Sequence, residues 1–228
     1  MSERHPATFI FADIAGFTAL TEVHGDEDAA ELAGRFSDCV SVLLPPLGAE
    51  QVKTIGDALM LRVPDAEDAV RLGLAIVYDV MRDHEAPAVR VGMHTGTAVE
   101  RAGDWFGSTV NTAARVSGLA RGNEVLVTDA TREAAGGTAA GIGFRPHGRH
   151  HLRNLSETVL VLAAVRQGAD LGHHYPIDPV CRMAIDPDRA AGVLVHDGHE
   201  YHFCSLGCVG AFARGPEDYL PLGGPPPA

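Results

Sequence analysis

The sequence contains a single lysine, Lys53, among its 18 lysine and arginine residues. This near absence indicates genomic drift from lysine to arginine at surface positions. A lysine kept against such drift favours a site that needs a compact, rotatable ammonium rather than a planar guanidinium. The alternative is a chance survivor on a strand, and Lys53 alone does not decide between the two.

Positive charge is also scarce, since the formal net charge is -12 over 228 residues. This argues against a nucleic-acid binder that relies on phosphate attraction, so any anionic ligand must be held by local cations or by metal ions. Residues 1–6 are polar and show no signal-peptide core, and no apolar run is long enough to span a bilayer. We therefore expect a soluble, cytoplasmic protein without a nucleic-acid or membrane partner.

Cysteine is rare, with four residues in the chain. In a reducing compartment such cysteines are more typical of metal ligands or buried thiols than of disulfides. Cys39 lies beside the apolar face of a predicted helix and is interpreted as a buried thiol. Cys181, Cys204 and Cys208 lie together near the C-terminal end.

Hydrophobic patterning predicts the order strand, helix, hairpin, helix, strand for the first part of the chain. The first helix is expected to run to about Leu44, and Asp65 is a predicted N-cap of the second. His94, on the last of these strands, is interpreted as a structural histidine. The order predicts an α/β (α+β) fold with a ferredoxin-like βαββαβ core, a mainly antiparallel sheet and helices on one face.

Two carboxylates end neighbouring parts of this predicted sheet. Asp13 follows the first strand, and Asp57 lies at the tip of the hairpin. In such a fold the two positions can lie side by side, and paired carboxylates with substrate phosphates suit Mg²⁺ or Mn²⁺. Asp13 taken alone favours a simple turn cap, which is the alternative.

A third candidate feature lies on a helix predicted to begin near Ser108. Asn111 and Arg115 are four residues apart and so share one helical face. An arginine with an asparagine one turn earlier can clamp a phosphate and orient a sugar. A solvated helix face is the alternative.

Together these segments resemble the class III nucleotidyl cyclases, over about residues 6–166. The Gly103–Gly107 segment is similar to that of the soluble bacterial adenylate cyclases of subgroup IIIc. The resemblance rests on five motifs in order, which are FADIAGFT at 11–18, VKTIGDALM at 52–60, GMHTG at 92–96, DWFG at 104–107 and VNTAAR at 110–115.

The resemblance implies metal-binding roles for Asp13, Ile14 and Asp57, with two Mg²⁺ or Mn²⁺ ions per active site. It also implies that Lys53 and Asp104 select adenine. The chemistry agrees, because an ammonium donates to N1 of adenine while a carboxylate accepts from the N6 amine, and guanine reverses this pattern.

The resemblance further implies that Asn111 orients the ribose and that Arg115 stabilises charge on the phosphates. Arg153 corresponds to a basic residue that contacts the triphosphate. Its context is Leu152-Arg153-Asn154, whereas the family has glycine at the third position, so this assignment stays open.

The implied function is an adenylate cyclase that converts ATP to 3′,5′-cyclic AMP and pyrophosphate. In this family one subunit supplies the metal ligands and the other supplies the remaining groups, which implies a homodimer. A guanylate cyclase is disfavoured by Lys53 and Asp104. A non-catalytic metal-binding, trafficking or regulatory protein that uses the domain for dimerisation is the other alternative.

The C-terminal part, residues 175–222, resembles the YHS domain, a small metal-associated module. It follows a cyclase domain at 1–166 and a linker at 167–174, and a flexible tail is predicted at 223–228. Cys181, Cys204 and Cys208 are the implied ligands of zinc or copper. A fourth ligand is not evident, although histidines 196, 199 and 202 are available, and a core of buried thiols is the alternative. Arg182 stands where the family usually has glycine.

Overall fold

A seven-stranded mixed sheet forms the larger part of the computed structural model, which describes residues 6–80, 88–137, 141–153, 157–167, 176–183, 185 and 187–220. The helices and strands, in chain order, are β1 (Ala7–Ile14), α1 (Phe17–His24), α2 (Asp26–Ser41), β2 (Glu50–Ile55), β3 (Ala58–Val63), α3 (Ala66–Tyr78), β4 (Val89–Gly96), β5 (Val99–Arg101), β6 (Asp104–Phe106), α4 (Ser108–Ser117), β7 (Glu124–Thr128), α5 (Asp129–Ala134), β8 (Ile142–His150), β9 (Val159–Arg166), β10 (Gly192–His196), β11 (His199–Phe203) and α6 (Leu206–Arg214).

The sheet has the strand order β2-β3-β1-β4-β7-β9-β8. The pairs β1 with β3 and β1 with β4 are antiparallel, whereas β4 and β7 are parallel. The predicted α+β class and the added C-terminal strands are therefore confirmed. Because β3 runs antiparallel to β1, with Ala12 opposite Leu59, the C-terminal end of β1 and the turn between β2 and β3 lie at the same end of the sheet.

Helices cover both faces of the sheet, so the expectation of helices on one face is wrong. Side chains alternate along β1: Ile10 and Ala12 pack with residues of α2 and α3, whereas Phe9 and Phe11 pack with residues of α4. Gly92 on β4 allows α4 to pack close to the sheet, because a Cβ at this position would lie 2.0 Å from the Ser117 backbone nitrogen.

The first predicted helix is divided into α1 and α2. Gly25 separates them with φ 89° and ψ 165°, and its N–H donates to the Thr21 carbonyl at 2.8 Å. Cys39 is exposed rather than buried, which corrects that prediction. Its neighbour Val40 faces the core, and adjacent helical residues point about 100° apart.

Two smaller predictions agree with the structure. Asp65 caps α3, accepting hydrogen bonds from the N–H groups of Glu67 at 2.9 Å and Asp68 at 3.0 Å. His94 is partly buried and its Nδ1 lies 2.8 Å from Thr128 Oγ1. Burial lowers the pKa of His94 to about 4, so the ring is neutral at pH 7, as a structural histidine would be.

The C-terminal module consists of the β10–β11 hairpin and α6. Its apolar residues, including Val180, Phe203 and Phe212, form one buried cluster with Leu20 and Leu32 of α1 and α2. Residues 168–174 of the predicted linker and the predicted tail at 223–228 lie outside the described residues. No helix in the described ranges is long and apolar enough to cross a membrane.

Candidate functional site

The first candidate centre lies where β1 ends beside the β2–β3 turn. The Ile14 N–H donates to Asp57 Oδ2 at 3.1 Å, so the structure brings Asp13, Ile14 and Asp57 together as the sequence predicts. Gly56, with φ 63°, occupies the left-handed region that this tight turn requires. The Ile14 side chain is buried, so only its main-chain groups face this centre.

Arg90 is a site residue that the sequence reasoning missed. It stands opposite Asp13 in the β1–β4 register, and the Arg90 guanidinium forms an ion pair with the Asp13 carboxylate. A signal was present, because Arg90 is a charged residue between the apolar residues Val89 and Val91. Only the strand register shows which carboxylate it faces.

The charges at this centre fit a divalent cation. Burial raises the pKa of Asp13 and the Asp57 charge raises it further, although the hydrogen bond and charge of Arg90 oppose both effects. Two carboxylates, those of Asp13 and Asp57, act on the one guanidinium of Arg90, so this group of three side chains has an excess of negative charge. Carboxylate oxygens are the ligands that Mg²⁺ and Mn²⁺ prefer, and such an ion would supply the missing charge.

The second candidate centre is an ion pair between β2 and β6. Lys53 Nζ donates to Asp104 Oδ2 at 2.6 Å, and the two side chains are 37% and 30% exposed. The hydrogen bond from Lys53 is the main reason that the pKa of Asp104 is lowered. The two side chains are therefore already paired and remain accessible to a ligand.

Trp105, the one tryptophan of the chain, holds this pair in place. Its ring lies 5.6 Å from the ring of Phe9 on β1, and the Arg62 guanidinium lies 4.6 Å from its centroid. The main-chain N–H of Trp105 donates to Asp104 Oδ1 at 2.8 Å. The short β5–β6 hairpin is thus fixed to the sheet by one aromatic side chain, a role that sequence reasoning did not assign.

The remaining predicted site residues face solvent. Asn111 is exposed and Arg115 is partly exposed on α4, whose other face, including Val110 and Ala113, is buried. Within the described ranges Arg115 has no ion-pair partner. Arg153 is exposed beyond the end of β8, and the neighbouring Asn154 lies outside the described residues. Within one chain, no hydrogen bond or ion pair of the described residues joins Asn111, Arg115 or Arg153 to the Asp13–Asp57 centre.

A third cluster lies between the two modules. Cys204 Sγ is 3.3 Å from Cys181 Sγ and 3.6 Å from Cys208 Sγ, so the three predicted cysteines do meet. The fourth member is His24, the last residue of α1, whose Nε2 lies 3.5 Å from Cys204 Sγ. Histidines 196, 199 and 202 are not part of this group.

Comparison with known families finds two domains in the chain. The description "Adenylate and Guanylate cyclase catalytic domain" matches residues 1–162, and "YHS domain" matches residues 177–222.

Two curated relatives carry the name adenylate cyclase. The "pH-sensitive adenylate cyclase MT1302" of Mycobacterium tuberculosis (strain CDC 1551 / Oshkosh) is 44% identical over 165 residues, covering 71% of this chain and 41% of the relative. An "Adenylate cyclase" of Streptomyces griseus is 38% identical over 130 residues, covering 57% of this chain and 32% of the relative. The chain thus matches less than half the length of either protein.

Solved structures share the fold. The adenylyl cyclase CyaB from P. aeruginosa superposes with a TM-score of 0.62 and 23% identity, covering 75% of this chain and 98% of that chain. An adenylate cyclase from Trypanosoma brucei, described in its monomeric state, superposes with a TM-score of 0.64 and 23% identity, covering 72% and 90% respectively.

Proposed function

Since the chain belongs to the adenylate and guanylate cyclase catalytic domain family, we propose that it is an adenylate cyclase that converts ATP to 3′,5′-cyclic AMP and pyrophosphate. The observation that carries the choice of ATP is the Lys53–Asp104 pair, with its 2.6 Å contact. A donor beside an acceptor matches the N1 and N6 edge of adenine. Guanine would face each of these two groups with a group of the wrong kind and leave both without a partner on the base, which disfavours GTP.

In the proposed reaction the ribose 3′ hydroxyl gives up its proton to water, its oxygen bonds to the α-phosphorus, and the bond from that phosphorus to the pyrophosphate oxygen breaks. Asn111 orients the ribose, and Arg115 offsets the charge that develops on the phosphates. Asp13 and Asp57, with the main chain of Ile14, hold two divalent cations, which when bound polarise the 3′ oxygen and neutralise phosphate charge. Arg153 contacts the triphosphate.

We place the complete site at the interface of a homodimer. Within one chain the acidic centre lacks Asn111 and Arg115, which point outward from α4. Large apolar side chains near the site are also exposed, namely Ile55 at 51%, Val99 at 45% and Phe106 at 51%. A second copy that covers these side chains would supply the missing groups to each acidic centre, because a two-fold interface is reciprocal.

The direct test is incubation of the purified chain with Mn²⁺ and either ATP or GTP, followed by separation of the nucleotides. We expect cyclic AMP from ATP and little cyclic GMP from GTP. The matched control is Asp57→Asn, which keeps the size of the side chain but removes its charge and should abolish the product. Equal use of both nucleotides, or no product from either, would contradict the proposal.

Trp105 gives a separate prediction about substrate binding. Trp105→Ala removes the stacking on Phe9 and Arg62 and so frees the hairpin that carries Asp104. We expect the KM for ATP to rise by about tenfold, equivalent to about 1.4 kcal/mol, with a smaller change in kcat. Trp105→Phe should retain most of the affinity, because it keeps an aromatic ring. A fall in kcat with unchanged KM would show that Trp105 does not act by positioning Asp104.

We also propose that the C-terminal module makes the output of the enzyme responsive to zinc or copper through Cys181, Cys204 and Cys208. The test is a titration of each metal against cyclic AMP formation, with Cys204→Ser as the control. The native protein should respond at lower metal concentrations than the variant. Superimposable titration curves would remove this part of the proposal.

A further inference from the structure

His24 provides the fourth ligand that the C-terminal module itself lacks. It is the last residue of α1, and its side chain reaches the three cysteines of the other module. The four ligand atoms all lie within 4.8 Å of one another. We propose that His24, Cys181, Cys204 and Cys208 together bind one zinc ion, so that the ion is held jointly by the cyclase domain and the YHS domain.

The distances fit this coordination. A tetrahedral zinc ion with metal–sulfur bonds of about 2.3 Å separates its sulfur ligands by roughly 3.8 Å. The observed contacts of Cys204 Sγ are 3.3 Å and 3.6 Å to sulfur and 3.5 Å to the imidazole nitrogen. They are too long for a disulfide, whose sulfur atoms are about 2.05 Å apart, and the cysteines are free. Three thiolates and one imidazole form a complete structural zinc set.

The ligand loops are held in position by groups that are not ligands. Asp178 is fully buried, and its carboxylate accepts from the N–H groups of Val180 at 2.8 Å and Cys204 at 2.9 Å. It therefore ties the loop of the first cysteine to the loop of the second. Ser205 caps α6 through the Cys208 N–H at 3.2 Å. These bonds fix three ligands before the ion binds, which reduces the entropy lost on binding.

The ion would also fix the helix that leads away from the acidic centre. At the start of α1, Gly16 has φ 78°, and a Cβ there would lie 2.2 Å from Arg182 Cγ. Arg182 follows the ligand Cys181, so the module contacts both ends of α1, at Gly16 and at His24. Gly16 is three residues after Asp13. Occupancy of the zinc site should therefore stabilise α1 and the segment that carries Asp13.

The test measures zinc binding to the full chain in the presence of excess Mg²⁺, which occupies oxygen ligands but competes poorly for thiolates. We expect one tight site. His24→Ala should weaken it at least tenfold, since even outer-shell changes cost about 10–100-fold. His199→Ala, which alters an exposed histidine of the module outside the cluster, should leave the affinity unchanged. Weakening by His199→Ala but not by His24→Ala would overturn the proposal, as would a native protein that binds no zinc.

A gain-of-signal variant covers the case in which His24→Ala folds poorly. Cobalt(II) in the native site should give the absorption of a tetrahedral ion with thiolate ligands. His24→Cys should keep that geometry and increase the sulfur-to-metal charge-transfer band, whereas an unchanged spectrum would show that residue 24 is not a ligand. Hydrogen exchange completes the test, because zinc should protect the amides of α1 in the native chain and not in His24→Ala.

Only the effect on the Asp13 segment rests on the proposed cyclase activity. The affinity, the cobalt spectrum and the exchange rates are measured without ATP. A chain that binds zinc as described but makes no cyclic AMP would refute the proposed function and leave the zinc site intact. A chain that makes cyclic AMP but binds zinc equally well after His24→Ala would refute the proposed zinc site and leave the proposed function intact.

Discussion

Asp57→Ala and Arg115→Ala, each inactive alone, should recover activity when they are mixed. Each substitution removes a group that acts at the reacting phosphates, where one such loss costs about 10²–10³ in rate. The two residues are on the same chain but would serve opposite sites of a dimer. A heterodimer of the two variants would have one site that carries both lesions and one site that carries neither.

The size of the recovery is fixed by the two-fold arrangement. Random exchange of equal amounts makes about half of the dimers mixed, and one of the two sites in each is intact, so about one quarter of native activity should return. The matched control is Asp57→Ala mixed with Asp13→Ala, which must stay inactive because both residues belong to the same half-site, so each site of a mixed dimer carries one lesion. Tagged subunits confirm the exchange by co-purification. No recovery after confirmed exchange would contradict a site shared between subunits.

The site residues that lie at the ends of predicted strands and turns could be predicted from the sequence. Asp13 and Asp57 end a strand and a hairpin, and the topology of a ferredoxin-like core places those two ends together. Lys53 was conspicuous because no other lysine is present. Its partner Asp104 is 51 positions away, and only the family resemblance, not spacing, connected the two residues before the structure did.

What the sequence did not reveal depends on contacts between distant elements. Arg90 faces Asp13 only because of the antiparallel register of β1 and β4. His24 is 180 positions from Cys204, and no spacing rule for metal ligands extends that far. The prediction that Cys39 is buried was wrong for a local reason. On α2 the exposed Cys39 directly precedes the buried Val40, so an error of one residue in the helical pattern exchanges a buried position for a solvent-facing one. The fold class was thus predictable, whereas the contacts that join its elements were not.

Substitutions at Lys53 and Asp104 should change which purine is used. Lys53→Met keeps the length of the side chain but removes the donor to N1, and it leaves Asp104 without the partner now at 2.6 Å. Because the adenine edge loses its donor and Asp104 loses its partner, kcat/KM for ATP should fall by about 10–100-fold. The value for GTP should change far less, because guanine never used that donor.

The double substitution Lys53→Glu with Asp104→Asn should go further and favour GTP. It places an acceptor where guanine presents the N1 and N2 donors, and a donor where guanine presents O6. The measurement is the ratio of kcat/KM for ATP to that for GTP, which should fall below one in the double variant. The acidic centre is untouched, so the Mn²⁺ concentration for half-maximal rate should match that of the native protein. If both variants lose ATP and GTP activity in equal proportion, the Lys53–Asp104 pair has a structural role and does not recognise the base. A contact that recognises the base must discriminate between purines that differ at the atoms it touches.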